Sequence, residues 1–143
     1  MTMSIKNIFG IAGTAMNAQT IRMNTTASNL ANAGTIAGSE EEAFRAKRSV
    51  FKALVEQEDL NRGFDHLGGV KVAEIVDDQS PVRKVYDPNN PESDDEGYMY
   101  ASNVSEVTEM VEMIAASRSY QNNVEVVTTA RQLMLRTLDI TKV

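Results

Sequence analysis

Apolar residues recur along the first thirty-odd positions with a helical period. Phe9, Met16, Met23 and Leu30 fall seven apart, and Ala12, Gln19, Thr26 and Ala33 fill the intervening positions. This is an a/d frame with large residues at a and small ones at d. A second row, Ile8, Ile11, Ala15 and Ala18, widens the apolar face beyond one seam. The spacing predicts a helix over residues 4–35, capped by Ser4, with Lys6 and Arg22 its only charges. Gly10, Gly13 and five threonines weaken its intrinsic propensity, so it needs a partner to be ordered.

The same period returns over residues 102–141, where no glycine or proline interrupts it. Met110, Met113, Ser117, Tyr120, Val124, Val127, Arg131, Met134 and Leu138 follow a 3-4 spacing; Val107, Ile114 and Leu135 broaden the face. Asn103 with Glu106 resembles a capping box, and Glu106, Glu109 and Glu112 complement the helix dipole at its start. At 1.5 Å per residue the two helices would reach about 45 and about 55 Å.

Between them, residues 36–101 change character. Glu40–Glu42 and Ser93–Glu96 read as solvated loops, and Asp87–Pro91 as a turn. Phe44–Val55 (its tail, 53–58, also compatible with helix), Gly69–Val76 and Pro81–Tyr86 read as strands. The expected fold is mainly α with a small β insertion. Two long terminal helices form an antiparallel coiled-coil hairpin around a short-stranded, irregular β domain. The expected segments are 1–35, 36–101 and 102–143.

Composition excludes several functions. There are 143 residues with 8 Met, 4 Phe, 4 Tyr, no Trp and no Cys. Without cysteine there are no disulfides and no thiolate chemistry. The net charge of −6 argues against nucleic acid; the basic cluster Arg45, Lys47 and Arg48 reads as a solvated strand face. His66 is the only histidine and reads as a surface loop residue, so metal and triad chemistry have nothing to build on. Asp87–Asp95 lacks the glycine and terminal glutamate of a calcium loop, and Gly68-Gly69 is a turn signal rather than a phosphate cradle. No catalytic set converges and no cofactor is expected. The chain is not expected to span a membrane. The polar residues from Asn17 to Asn24 separate the apolar start from Ala31-Asn32-Ala33, so no cleaved signal is expected.

Two sticky terminal helices that outweigh the central domain predict a subunit that assembles with its own kind. The residues expected at the assembly interface are Phe9, Met16, Met23, Asn29, Leu30 and Asn32 in the first helix. In the second they are Met110, Met113, Ile114, Arg118, Tyr120, Gln121, Val124, Val127, Leu135 and Leu138. Asn29, Asn32, Arg118 and Gln121 would set register by hydrogen bonding, while Met and Ala supply adhesion.

The run Ala15-Met16-Asn17-Ala18-Gln19, then Arg22-Met23-Asn24, then Ala27–Thr35, resembles the N-terminal signature of bacterial flagellar rod and hook proteins. Glu109–Ile114 followed by Arg118–Val126 resembles their C-terminal signature, and Val82–Pro88 with Asp95–Tyr98 is similar to the short proximal rod members. Asn122 departs from a usual alanine, and Ser102 stands where a proline often precedes the last helix. The resemblance implies a structural subunit of the flagellar proximal rod, the drive shaft that transmits torque from membrane ring to hook. Its implied partners are itself, other proximal and distal rod proteins, the base adaptor and membrane ring, and the flagellar export apparatus during transit. It implies no nucleic acid or small-molecule substrate, and a place in the periplasmic rod reached by type III export without signal cleavage. A needle or tip subunit of another secretion assembly, or a helical adaptor, are the alternative readings.

Overall fold

A computed structural model describes residues 5–54 and 68–140. Two helices enclose five short strands in the chain. They are α1 (Ile5–Ala31), β1 (Ile36–Ala37), β2 (Lys47–Ala53), β3 (Val70–Asp77), β4 (Arg83–Tyr86), β5 (Tyr98–Ala101) and α2 (Glu106–Ile140). The mainly α class with a small β insertion holds. Ser4, His66 and the alternative helix over 53–58 lie wholly or partly outside the described residues.

The helices are 27 and 35 residues long, about 40 and about 52 Å. α2 begins at Glu106, with the Ser105 hydroxyl facing the Thr108 N–H at 3.4 Å. Ser105, not Asn103, is therefore the cap. Asn103 instead accepts the Ala46 N–H at 2.7 Å and donates to the carbonyls of Asp78 and Ser80. Its amide ties three loop ends together, a role that its spacing to Glu106 does not announce.

β1, β5 and β4 form one antiparallel sheet in that order, and β2 pairs with β3 in a second sheet. The three strands expected from β-branched runs appear within two or three residues of their predicted bounds. β1 and β5 do not stand out in the sequence: a two-residue strand and Tyr98-Met99-Tyr100-Ala101 are too short to show a period. Gly97 makes the turn into β5. It is buried, has φ of 81°, and a Cβ there would sit 3.0 Å from Pro88.

The chain divides into two compact units built from interleaved segments. Unit 1 comprises residues 1–21, 50–74 and 115–143; unit 2 comprises 22–49 and 75–114. In unit 1, Thr14 donates to the Ile11 carbonyl at 2.8 Å and accepts the Val70 N–H at 3.2 Å. Gly69 permits that approach, because a Cβ would lie 2.7 Å from the Thr14 hydroxyl. Leu54, almost wholly buried, exchanges backbone bonds with Gly68 and Gly69. In unit 2, the β1–β5–β4 sheet is closed by Ser102. Its N–H donates to the Thr35 carbonyl and its hydroxyl to the Ala33 carbonyl. A proline at this position would forfeit the first of these bonds.

The buried positions correct the expected helical frames. On α1 they are Ala12, Ala18, Thr25, Thr26 and Asn29, whereas Phe9, Met16, Met23 and Leu30 are only half-buried. On α2 the buried positions are Glu109, Ala116 and Ala130, spaced at multiples of seven, while Glu112, Met113, Ser117, Ser119, Tyr120, Asn123 and Val127 are half-buried. Four members of the expected row, Met113, Ser117, Tyr120 and Val127, are among the half-buried residues. Met110, Val124, Arg131, Met134 and Leu138 are exposed instead. The buried positions of both helices are small or polar residues, which allow close backbone approach and carry directional bonds; a search for large apolar letters passes over them.

Candidate assembly surface

Three features bear on what the molecule can bind: a polar anchor in unit 2, an apolar groove in unit 1, and exposed apolar residues along α2.

The anchor centres on Asn29 and Glu109, both fully buried. Asn29 accepts the Lys47 N–H at 2.8 Å and donates to the Lys47 carbonyl and to Glu109 Oε2, each at 2.9 Å. Arg48 Nη1 donates to Glu109 Oε1 at 2.6 Å, and Arg22 pairs with Glu112. Asn29 thus satisfies both backbone groups of one strand residue and one oxygen of a buried carboxylate, and only one alignment of helix and strand permits this. Glu109 and Glu112 consequently do more than complement a helix dipole. Their spacing fits a helix start equally well, so the anchor does not show in the sequence alone.

The basic cluster is also corrected. Lys47 pairs with Asp77 at 2.9 Å, Arg45 with Glu40 at 3.3 Å and with the Ser80 carbonyl, and Arg48 with Asp78 at 3.6 Å as well as Glu109. It is a paired set, not a bare solvated face. The Ser80 hydroxyl and N–H, with the Arg48 guanidinium nearby, hold the Asp78 carboxyl below its ordinary value.

In unit 1 an open cavity of about 550 Å³ is lined chiefly by Ile5, Ile8, Val126, Ala130 and Leu133. A smaller one of about 180 Å³ adjoins Ile8, Ile11 and Val126. These linings are mainly apolar, with Asn122, Asn123, Glu125 and Thr129 their polar members, so they suit another side-chain surface better than a small polar molecule.

Of the residues expected at the interface, Asn29 is buried within the chain. Phe9, Met16, Met23, Leu30, Asn32, Met113, Tyr120 and Val127 are half-buried. Met110, Ile114, Arg118, Gln121, Val124, Leu135 and Leu138 are exposed. Asn32, in the turn that follows α1, donates to the Ser28 carbonyl at 2.8 Å. The expected list omits Val107 and Val111, which are among the most exposed apolar residues of α2. Both were legible as apolar letters off the 3-4 row.

Among the described residues no group of His, Cys, Asp and Glu could hold a metal ion, and no helix is long and apolar enough to cross a membrane. The carboxylates of Asp87 and Asp94 are used in turns, accepting the N–H groups of Asn89, Glu96 and Tyr98.

The sequence is similar to those of known proteins. Residues 9–35 match the family described as Flagella basal body rod protein, and residues 95–140 match the Flagellar basal body rod FlgEFG protein C-terminal family. The chain is 46% identical over 138 residues to the flagellar basal-body rod protein FlgC of Yersinia enterocolitica, covering 96% of this chain and 98% of the relative. Identity to the FlgC protein of Salmonella typhimurium is also 46% over 138 residues, with the same coverage. Identity to that of Buchnera aphidicola from Acyrthosiphon pisum is 44% over 142 residues, 98% of this chain and 100% of the relative.

Proposed function

The chain belongs to the family of FlgC flagellar basal-body rod proteins, and from that premise we propose how its parts serve a rod. It is a structural subunit of the proximal rod and not an enzyme. The reading is that α1 and α2 act as an antiparallel coiled-coil hairpin whose outer faces polymerise. Within unit 2, Asn29 meets Glu109 while Arg22 meets Glu112, so numbers fall on one helix as they rise on the other. Within unit 1, Ile5 and Ile8 share a groove with Val126 and Leu133. Both observations support the hairpin.

The single observation that carries assembly is the exposure of apolar residues along α2, from Val107 to Ile140, which a free chain would leave in water. The exposed apolar members of the expected interface, Met110, Ile114, Val124, Leu135 and Leu138, supply adhesion to neighbouring subunits. Other rod proteins, the base adaptor and the membrane ring are the neighbours that fit. Export through the flagellar type III gate, without cleavage, into a periplasmic rod completes the reading; a weakly helical α1 suits an unfolded transit form.

Complementation of a deletion strain tests this. Wild-type chain is expected in purified basal bodies at its full uncleaved mass, with hooks and swimming restored. Ile114→Asp should be exported yet leave cells hookless. Normal rods with that variant would show that the face is not an interface, and a shortened chain in rods would refute uncleaved export.

A further inference from the structure

The first turns of α2, in unit 2, present Val107, Met110, Val111 and Ile114 at 74, 56, 60 and 53% exposure. Offsets of 0, 3, 4 and 7 place them on one face. The buried Glu109 lies about 150° around the helix from the middle of that face, so the stripe does not serve the anchor beneath it. A stripe with this spacing is shaped for a helix laid along it.

Charge narrows which helix. Unit 2 carries six Lys and Arg against thirteen Asp and Glu, a net −7. A second copy of unit 2 facing it would bring like charges together, so a symmetric contact is disfavoured. Residues 115–140 of α2 carry three arginines against two carboxylates. From Arg131 to Ile140 every residue is exposed, and Leu133, Met134 and Leu135 are among them. Arg131 and Leu135, four apart, share a face. Glu106, exposed and four residues before Met110, flanks the stripe on the other partner.

We propose that the C-terminal turns of α2 from one copy dock on the Val107–Ile114 stripe of the next copy, with Arg131 opposite Glu106. This rests on the rod reading and deepens it by naming which surface meets which. The two patches differ, so the contact is head-to-tail. A contact of this kind leaves a free patch at each end and extends rather than closing as a pair.

Because the chain has no cysteine, introduced cysteines report cleanly. Val111→Cys and Leu135→Cys are placed in one chain, expressed in the deletion strain and treated with a short bis-maleimide in purified basal bodies. The two positions are about 36 Å apart along one helix, so they cannot link within a chain. A ladder of homotypic multimers is expected from the double variant and none from either single. Homotypic dimers from Val111→Cys alone would show a symmetric contact and overturn the proposal. So would rods containing the double variant that link only to other rod proteins or to nothing. If the wild-type chain is missing from purified rods, the rod reading itself fails. Charge reversal provides a second route should the cysteines hinder assembly. Glu106→Arg and Arg131→Glu should each lower the number of hooked basal bodies about tenfold, and the two together should restore most of it. Failure of the pair to restore assembly overturns the proposed register.

Discussion

Unit 2 and unit 1 solve the same problem, joining helix to helix and helix to strand, with different materials. In unit 2 the joint is polar and directional: Asn29 satisfies Lys47 and Glu109, Arg48 closes on Glu109, and Arg22 reaches Glu112. In unit 1 the helix segments border an apolar groove of about 550 Å³, and the strand is held through Thr14 and a glycine. A hydrogen-bonded joint permits one alignment, whereas an apolar groove accepts any complementary surface. A subunit that must keep its own shape while accepting neighbours benefits from having both.

The largest expected effect breaks the polar joint. Asn29→Leu strips a buried carboxylate and both backbone groups of Lys47, at a cost of about 3–5 kcal/mol. Hydrogen exchange should show amides of 22–31 and 47–49 losing protection while those of 131–140 change little. Equal loss at both would mean that the contrast between the units is false.

The apolar unit has its own weak point. Gly69→Ala places a Cβ against the Thr14 hydroxyl at φ of 135°, which should cost about 1–3 kcal/mol. Adding Thr14→Ala relieves the clash but not the backbone strain, so urea midpoints should recover only in part. Full recovery would show that the backbone there is unstrained.

Acid should act first on unit 2. The Asp78 carboxyl lies below its ordinary value in the folded chain, through Ser80 first and Arg48 after it. Its stabilisation is therefore complete above about pH 3.9 and is lost as pH falls through the lower folded value. Asp78→Asn should flatten that part of the pH–stability curve. An unchanged curve would exclude the carboxylate as its source.

The smallest effect sharpens the comparison. The Asn32 side chain, just past the end of α1, donates to the Ser28 carbonyl of that helix. Asn32→Leu should shift stability by less than about 0.5 kcal/mol. If Asn32 sets register between neighbours, the variant should nonetheless build short or irregular rods, visible by electron microscopy. Normal rods would limit the Asn32 side chain to capping the end of α1.

Terminal helices and β-branched strands were legible because each repeats a short physical period over many residues. The buried anchor was not. Glu109 looks like a helix-start carboxylate, Asn29 like one of many asparagines, and Arg48 like part of a wet strand; only the fold brings these three together. Small residues misled in the same direction. Ala12, Ala116 and Ala130 are more deeply buried than Met16 or Met110, because closeness of backbone rather than bulk defines the covered faces. The exposed stripe is partly legible: Met110 fits the 3-4 row, Val107 and Ile114 broaden that face, and Val111 belongs to neither.

Ser102 carries a consequence for the shape of relatives. Its bonds to Ala33 and Thr35, with Ile36 opposite Ala101, bring the start and finish of the middle segment together at one place. Within unit 2 this is a clasp, shut independently of the exposed Glu41–Glu42 turn that follows β1. Loop closure grows costly only slowly with length, so that turn can lengthen without opening the clasp. An inserted domain whose own termini lie close together could be grafted into the Glu41–Glu42 turn and leave the clasp shut.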